Sequence, residues 1–204
     1  MPDYFYRDIN NMVLPEHHST WFAHSSNLLG DDILDRVDEY ASRQDLQKAG
    51  TVGSIEGSDI RRSEICWLID PEYKDLLTPV YDAISSIIRD INDDIWGYNI
   101  RGWEGLQYSR YDSEYKGQYD WHMDIPARQI EGLQRKVSFS VGLSEDYYEG
   151  GDLEFMISRD LQHSFKLSRG DIVAFPSFVL HRVTPVTSGL RNALVGWGLG
   201  PNFV

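Results

Sequence analysis

The stretch Tyr119-Asp120-Trp121-His122-Met123-Asp124-Ile125-Pro126 sets aromatic and apolar residues around a histidine and an aspartate two positions apart. Such a stretch suits an extended chain, and in a β-strand residues i and i+2 project to the same face. The His122 imidazole and the Asp124 carboxylate would therefore point together. Histidine nitrogen and carboxylate oxygen both suit iron, so the pair can form part of a metal site. A His-x-Asp pair also arises by chance. Its weight depends on whether the flanking sequence is β-rich and whether the chain supplies a third ligand.

Outward from this stretch, the sequence from Tyr98 onward alternates short β-rich runs with turns. The runs fall at about 98–111, 118–124, 135–143, 152–157, 163–167, 171–175, 179–184 and 192–199. Asp112-Ser113, Glu149-Gly150-Gly151, Ser168-Arg169-Gly170-Asp171, Pro176-Ser177 and Ser188-Gly189 separate them. Short strands at this spacing predict a sandwich or barrel. Upstream the grammar is helical. Leu28, Leu29, Ile33, Leu34, Val37, Tyr40, Ala41 and Leu46 recur at three and four, predicting a helix from about Asn27 to Lys48 that closes near Gly50.

A polar loop, Gly53 to Asp59, leads through Arg61-Arg62-Ser63 to a buried strand at Ile65 to Ile69. Asp70-Pro71 then opens a second helix, with Asp70 as cap and Pro71 at the first helical position. Its apolar stripe, from Leu76 to Ile95, reads as core, and Pro79 sits early in it or kinks it. Residues 1–24 carry His17, His18 and His24, with no carboxylate at ligand spacing nearby; a surface or packing role follows. The expected layout is one α+β domain over 1–204, with a helical support region (1–97) and a β core (98–204).

Composition narrows the function. The chain has 204 residues, 41% hydrophobic and 13% aromatic, enough for a sizeable core. A net charge of −13 argues against a broad grip on nucleic-acid backbone, which needs lysine and arginine. The single cysteine, Cys66, excludes a disulfide framework and reads as a buried structural thiol. Neither signal-peptide character at Met1 to Asp8 nor an apolar run of membrane-spanning length is present, so the expected setting is cytoplasmic.

The third ligand comes from Phe178-Val179-Leu180-His181-Arg182-Val183, where a histidine ends an apolar run. His122, Asp124 and His181 form a candidate two-histidine, one-carboxylate facial triad. That arrangement leaves open positions and is associated with non-haem Fe(II) oxygenases. Zinc, used hydrolytically, is the alternative metal. Arg191 follows across the turn Thr187-Ser188-Gly189-Leu190, where a guanidinium could grip a carboxylate through two parallel hydrogen bonds. An enzyme using 2-oxoglutarate needs such a clamp, whereas a surface arginine at a hairpin is the bland reading.

Four motifs then occur in order: His122-Met123-Asp124, Gly150-Gly151-Asp152-Leu153-Glu154-Phe155, Gly170-Asp171-Ile172-Val173-Ala174-Phe175-Pro176, and His181 to Arg191. Together they resemble the Fe(II)/2-oxoglutarate-dependent dioxygenase superfamily, within its prolyl 4-hydroxylase-like group, and most closely the bacterial PKHD-type hydroxylases. The resemblance implies a double-stranded β-helix (jelly-roll) core braced by N-terminal helices. It also implies iron at the mouth on His122, Asp124 and His181, and Arg191 on the distal carboxylate of 2-oxoglutarate. Tyr111 matches the family's co-substrate tyrosine best and Tyr119 second. Fe(II), 2-oxoglutarate, O2 and accessory ascorbate are the implied cofactors.

The implied substrate is a prolyl residue in a peptide or protein, with a free amino acid as the alternative. A non-catalytic jelly-roll binding module is the reading from another class. Arg61-Arg62 and the loop Ala127 to Gln134 are candidate rims of the site. Trp103, Trp121 and Trp197 are pocket or core aromatics, and His163 reads as structural.

Overall fold

The computed structural model describes residues 17–49, 60–125, 132–159 and 161–203, with only the backbone given for 17–19. The leader at 1–16, the His17 and His18 side chains, the helix stop at Gly50, the loop 53–59 and most of the rim loop (127–131) lie outside the described residues. The elements are, in order, β1 (His17–Ser19), β2 (Phe22–Ser25), α1 (Asp31–Ser42), β3 (Gln47–Lys48), β4 (Arg61–Arg62), β5 (Glu64–Trp67), α2 (Lys74–Ile95), β6 (Gly102–Trp103), β7 (Gln107–Asp112) and β8 (Gln118–His122). There follow β9 (Gln134–Gly142), β10 (Glu149–Gly150), β11 (Leu153–Ser158), β12 (Leu161–Phe165), β13 (Ile172–Pro176), β14 (Leu180–Val183), β15 (Val186–Ser188) and β16 (Leu190–Gly200).

A large antiparallel sheet runs β1-β2-β13-β9-β16-β7-β5-β3, with β6 also paired to β16. A smaller sheet runs β12-β11-β14-β8-β4, and β10 pairs with β15. This is a jelly-roll α+β fold, and alternation along the strands of the large sheet builds its two cores. On β9, Val137, Phe139 and Val141 join the helices in one cluster, while Ser138 and Ser140 occupy the intervening positions. On β13, Ile172 and Ala174 belong to that cluster, and Val173 and Phe175 face the other way. There they meet Phe155 of β11, whose ring lies 4.8 Å from that of Phe175. The helices thus cover one face of the large sheet, and the small sheet covers the other.

The first helix is shorter than its apolar periodicity predicts, because tertiary hydrogen bonds claim both its ends. The amides of Leu28 and Leu29 donate to the Gly170 carbonyl, and that of Asn27 donates to the Asp171 carboxylate. At the other end Gln47 and Lys48 pair with β5. The predicted strand at 65–69 likewise stops at Trp67. At the second helix Asp70 caps as expected, accepting from the Glu72 amide at 3.0 Å, but the first turn, Pro71–Tyr73, is a 3-10 helix. Pro79 lies in the second turn of α2. Leu77, Val80, Ile84, Ile88 and Ile91 form the buried stripe. Among the described residues no helix is long and apolar enough to cross a membrane.

Candidate metal centre

His122 ends β8 and His181 sits on β14, and the two residues stand directly opposite each other across that antiparallel pair. Their ring centroids are 4.1 Å apart. Asp124 lies just past β8, held where its amide donates to the Ser177 carbonyl at 2.9 Å. Its carboxylate faces both imidazoles: Oδ1 is 3.8 Å from His122 Nε2, and Oδ2 is 3.6 Å from His181 Nε2. An ion with bonds of about 2.1 Å fits between donors so spaced.

The other ring nitrogens are engaged. His122 Nδ1 donates to the Asp120 carbonyl at 2.8 Å, and His181 Nδ1 to that of Val179 at 2.9 Å. With the proton on Nδ1, each Nε2 presents its lone pair to the centre, as metal-bound histidines require. Burial, reinforced by the neighbouring His181, pushes His122 down to about 3. Burial alone would push Asp124 up, but the two imidazoles and Arg135 outweigh it and hold the carboxyl below its usual range. Neutral imidazole beside ionised carboxylate is a donor set made for a cation.

Arg191, on β16, lines the same cleft. It is 2% exposed. Its guanidinium lies 5.1 Å from the centre of the Tyr111 ring, and among the described residues no carboxylate forms an ion pair with it. A buried cation without a counter-charge is costly, and an anion from outside would offset that cost. Gly151 makes room for it: its φ is +65°, and a Cβ there would come within 2.8 Å of Arg191 Cδ. Gly150, at +68°, shares the turn, as the Gly150-Gly151 pair predicts.

Tyr111 is buried and lines the cleft, as does Tyr119, whose ring stacks on His122 at 3.5 Å. All six residues singled out from the sequence therefore share one cleft. Trp197 lines it too, whereas Trp103 packs edge-on against Phe139 in the helix-side core. Trp121 lies under the Arg182 guanidinium and does not line the cleft. His163 packs on Phe22, a structural place as expected.

Two contributors are absent from the sequence reading. Ser140 is 4% exposed and lines the cleft, and among the described residues its Oγ has no hydrogen-bond partner. Arg135 lies 3.8 Å over the Trp197 ring and pairs with Glu104 through two hydrogen bonds of 2.6 Å. Its Nη1 donates to the Asp124 carbonyl at 3.4 Å. The orphaned Ser140 hydroxyl and the uncompensated Arg191 both fit a dicarboxylate, and the His122-Asp124-His181 donor set fits Fe(II).

Comparison with known proteins supports this class. Residues 106–198 match the family model of the 2OG-Fe(II) oxygenase superfamily, whose name implies Fe(II), 2-oxoglutarate and O2. More narrowly, the chain resembles PKHD-type hydroxylases: it is 44% identical over 86 residues to one from Synechococcus sp. (strain CC9311), covering 42% of this chain and 38% of that relative. The matched segment thus spans well under half the relative's length. Among solved structures it resembles a prolyl-4-hydroxylase from Pseudomonas putida, with TM-score 0.70 and 23% identity over 87% of this chain and 91% of that one. It also resembles a prolyl hydroxylase from Trichoplax adhaerens, in complex with a hypoxia inducible factor peptide fragment, with TM-score 0.71 and 18% identity over 88% and 84%. At these identities the two structures bear on the fold.

Proposed function

We propose that the protein is an Fe(II)- and 2-oxoglutarate-dependent dioxygenase that hydroxylates an unactivated C–H bond, that of a prolyl residue in a peptide or protein. The observation that carries this is a single cleft holding both the three-donor set and a buried, uncompensated arginine. A hydrolytic zinc site or a non-catalytic jelly roll gives Arg191 no task.

In this reading His122, Asp124 and His181 hold Fe(II) and leave the remaining positions for co-substrate and O2. Fe(II) held there would supply oxidative chemistry: decarboxylation of 2-oxoglutarate to succinate and CO2, coupled to insertion of one oxygen atom of O2 into the target bond. The protein's own contribution is orientation and exclusion. Arg191 and the Ser140 hydroxyl take the distal carboxylate, and Tyr111 lies against it. Tyr119 holds the His122 ring flat, while Phe175 and Trp197 keep water from the cleft wall. The carbonyls of Asp120 and Val179 fix both imidazoles in the ligating tautomer. Ascorbate enters only as an added reductant that keeps the iron ferrous; no residue is assigned to it.

The acting unit is the whole chain as one domain, since α1 and α2 share a core with the large sheet. A cytoplasmic setting suits the lone, buried Cys66.

The test is anaerobic addition of Fe(II) and 2-oxoglutarate, then oxygen and prolyl peptides. A visible charge-transfer band followed by peptide-stimulated succinate is expected, and both are lost in His181→Ala. Full turnover by His181→Ala would sink the reading.

A further inference from the structure

Two guanidiniums line the cleft, and only Arg191 has a task in the reading above. Arg61, on β4, is half-buried in the wall shared with the iron-ligand set. Its Nε donates to Ser63 Oγ at 2.8 Å and its Nη2 to Gln107 Oε1 at 2.9 Å. It lies 4.7 Å over the Tyr119 ring, the same ring that stacks on His122. These partners are neutral, and among the described residues no carboxylate forms an ion pair with Arg61. Arg135, Arg169 and Arg182 by contrast each meet one.

In a chain of net charge −13, an unpaired cation at this place is informative. The formal charges of ferrous iron, Asp124, doubly ionised 2-oxoglutarate and Arg191 cancel. The charge of Arg61 is left over, beside the space the target must occupy. Arg61 also forms part of a second hollow, shared with Lys48, Ser63 and Tyr115.

We propose that Arg61 binds a carboxylate of the substrate, so that the target carbon is chosen for an acidic neighbour. The inference rests on the dioxygenase reading and names its substrate class: an acidic amino acid or an acidic peptide. A guanidinium with two N–H groups fixed by protein oxygens is already oriented, and it keeps further donors for a charge-assisted pair.

The test is calorimetric titration, without oxygen, of protein loaded with Fe(II) and 2-oxoglutarate. The probes are a proline pentapeptide flanked by glutamates, its glutamine-flanked counterpart, free L-glutamate and free L-glutamine. Acidic probes are expected to bind at least tenfold more tightly than their amides. That ratio falls below threefold in Arg61→Gln and returns in Arg61→Lys. Whether the peptide pair or the free pair shows the preference identifies the source of the carboxylate.

Equal affinity for acid and amide, a preference surviving Arg61→Gln, or no binding of any acidic probe overturns the proposal. So does a loss of 2-oxoglutarate affinity in Arg61→Gln as large as that in Arg191→Met, which would move Arg61 into the co-substrate site. Failure to take up iron or 2-oxoglutarate tells instead against the dioxygenase reading. The same acid–amide titration on metal-free protein then still decides Arg61.

Discussion

Arg191 has opposite consequences for ligand binding and for stability. An apolar side chain of similar volume in place of a buried, uncompensated charge removes the desolvation penalty that the charge carries. Arg191→Met should therefore leave the thermal midpoint, measured without ligands, unchanged or higher. The same substitution removes one half of the charge pair proposed with 2-oxoglutarate, at a cost of about 2 kcal/mol or more, and so should weaken that binding at least ~30-fold. A lower midpoint together with unchanged affinity would place the clamp elsewhere.

Cys66 shows what burial does to a group with no task. Desolvation pushes its thiol up to about 11, against an ordinary 9.0. Below both values the folded thiolate fraction is about a hundredfold smaller, so iodoacetamide at pH 8 should label the native chain at about one per cent of the unfolded rate. Because the folded value is the higher one, this group's stabilising contribution is complete below pH 9 and is lost as pH rises toward 11.

That the candidate donors and Arg191 share one cleft follows from strand alternation and short motifs, which the sequence displays. Ser140 was not legible there, since only the pairing of β9 shows which of its faces meets the cleft. Nor was Arg135: the register of β9 against β16 slips between Gly198 and Leu199, and alternation counted from Val137 assigns Arg135 to the helix side.

At the scale of elements, the eight β runs read from Tyr98 onward have counterparts in the sheets, whereas β1 to β4, β10 and β15 were missed. Strands of two to four residues are too short to show a period. Helix α1 shows the complementary failure, in which apolar spacing continued beyond the residues whose backbones are free to be helical. What ties α1 to the β core is Arg169, whose Nη1 meets Asp38 at 2.7 Å and the Leu143 carbonyl at 2.9 Å, while Nη2 meets Asp35 at 2.8 Å. Burial already pushes the Asp38 carboxyl up despite this arginine. Arg169→Ala leaves that carboxylate unpaired and should cost about 1–2 kcal/mol, lowering the thermal midpoint by roughly 2–8 °C. Restoration of the midpoint by Asp38→Asn in that background would confirm the cause, and no loss in Arg169→Ala would refute it.

For the whole molecule, the large sheet divides the labour. One face packs on helices that contribute no charged group to the cleft, and the other carries Tyr111, Ser140 and Arg191 toward the small sheet, which brings His122 and His181. That division could be read from the contrast between the two halves of the sequence. The rim could be read in part: Arg61, named from the sequence, lines the cleft, though only the pairing of β4 with β8, a long-range contact, shows what brings it there.

The opposition of His122 and His181 across β8 and β14 makes the proposed iron a rivet between neighbouring strands. A slide of one strand along the other by a single residue would turn an imidazole to the far side of the sheet. An ion gripping both therefore resists creep of the small sheet as well as serving chemistry. Amide hydrogens along Gln118–His122 and Leu180–Val183 should exchange more slowly once Mn(II) is added, and a chelator should return them to their former rate. Exchange that ignored the metal would mean the two histidines do not share it. Bound, the ion would fasten the sheet whose strands bring its ligands together.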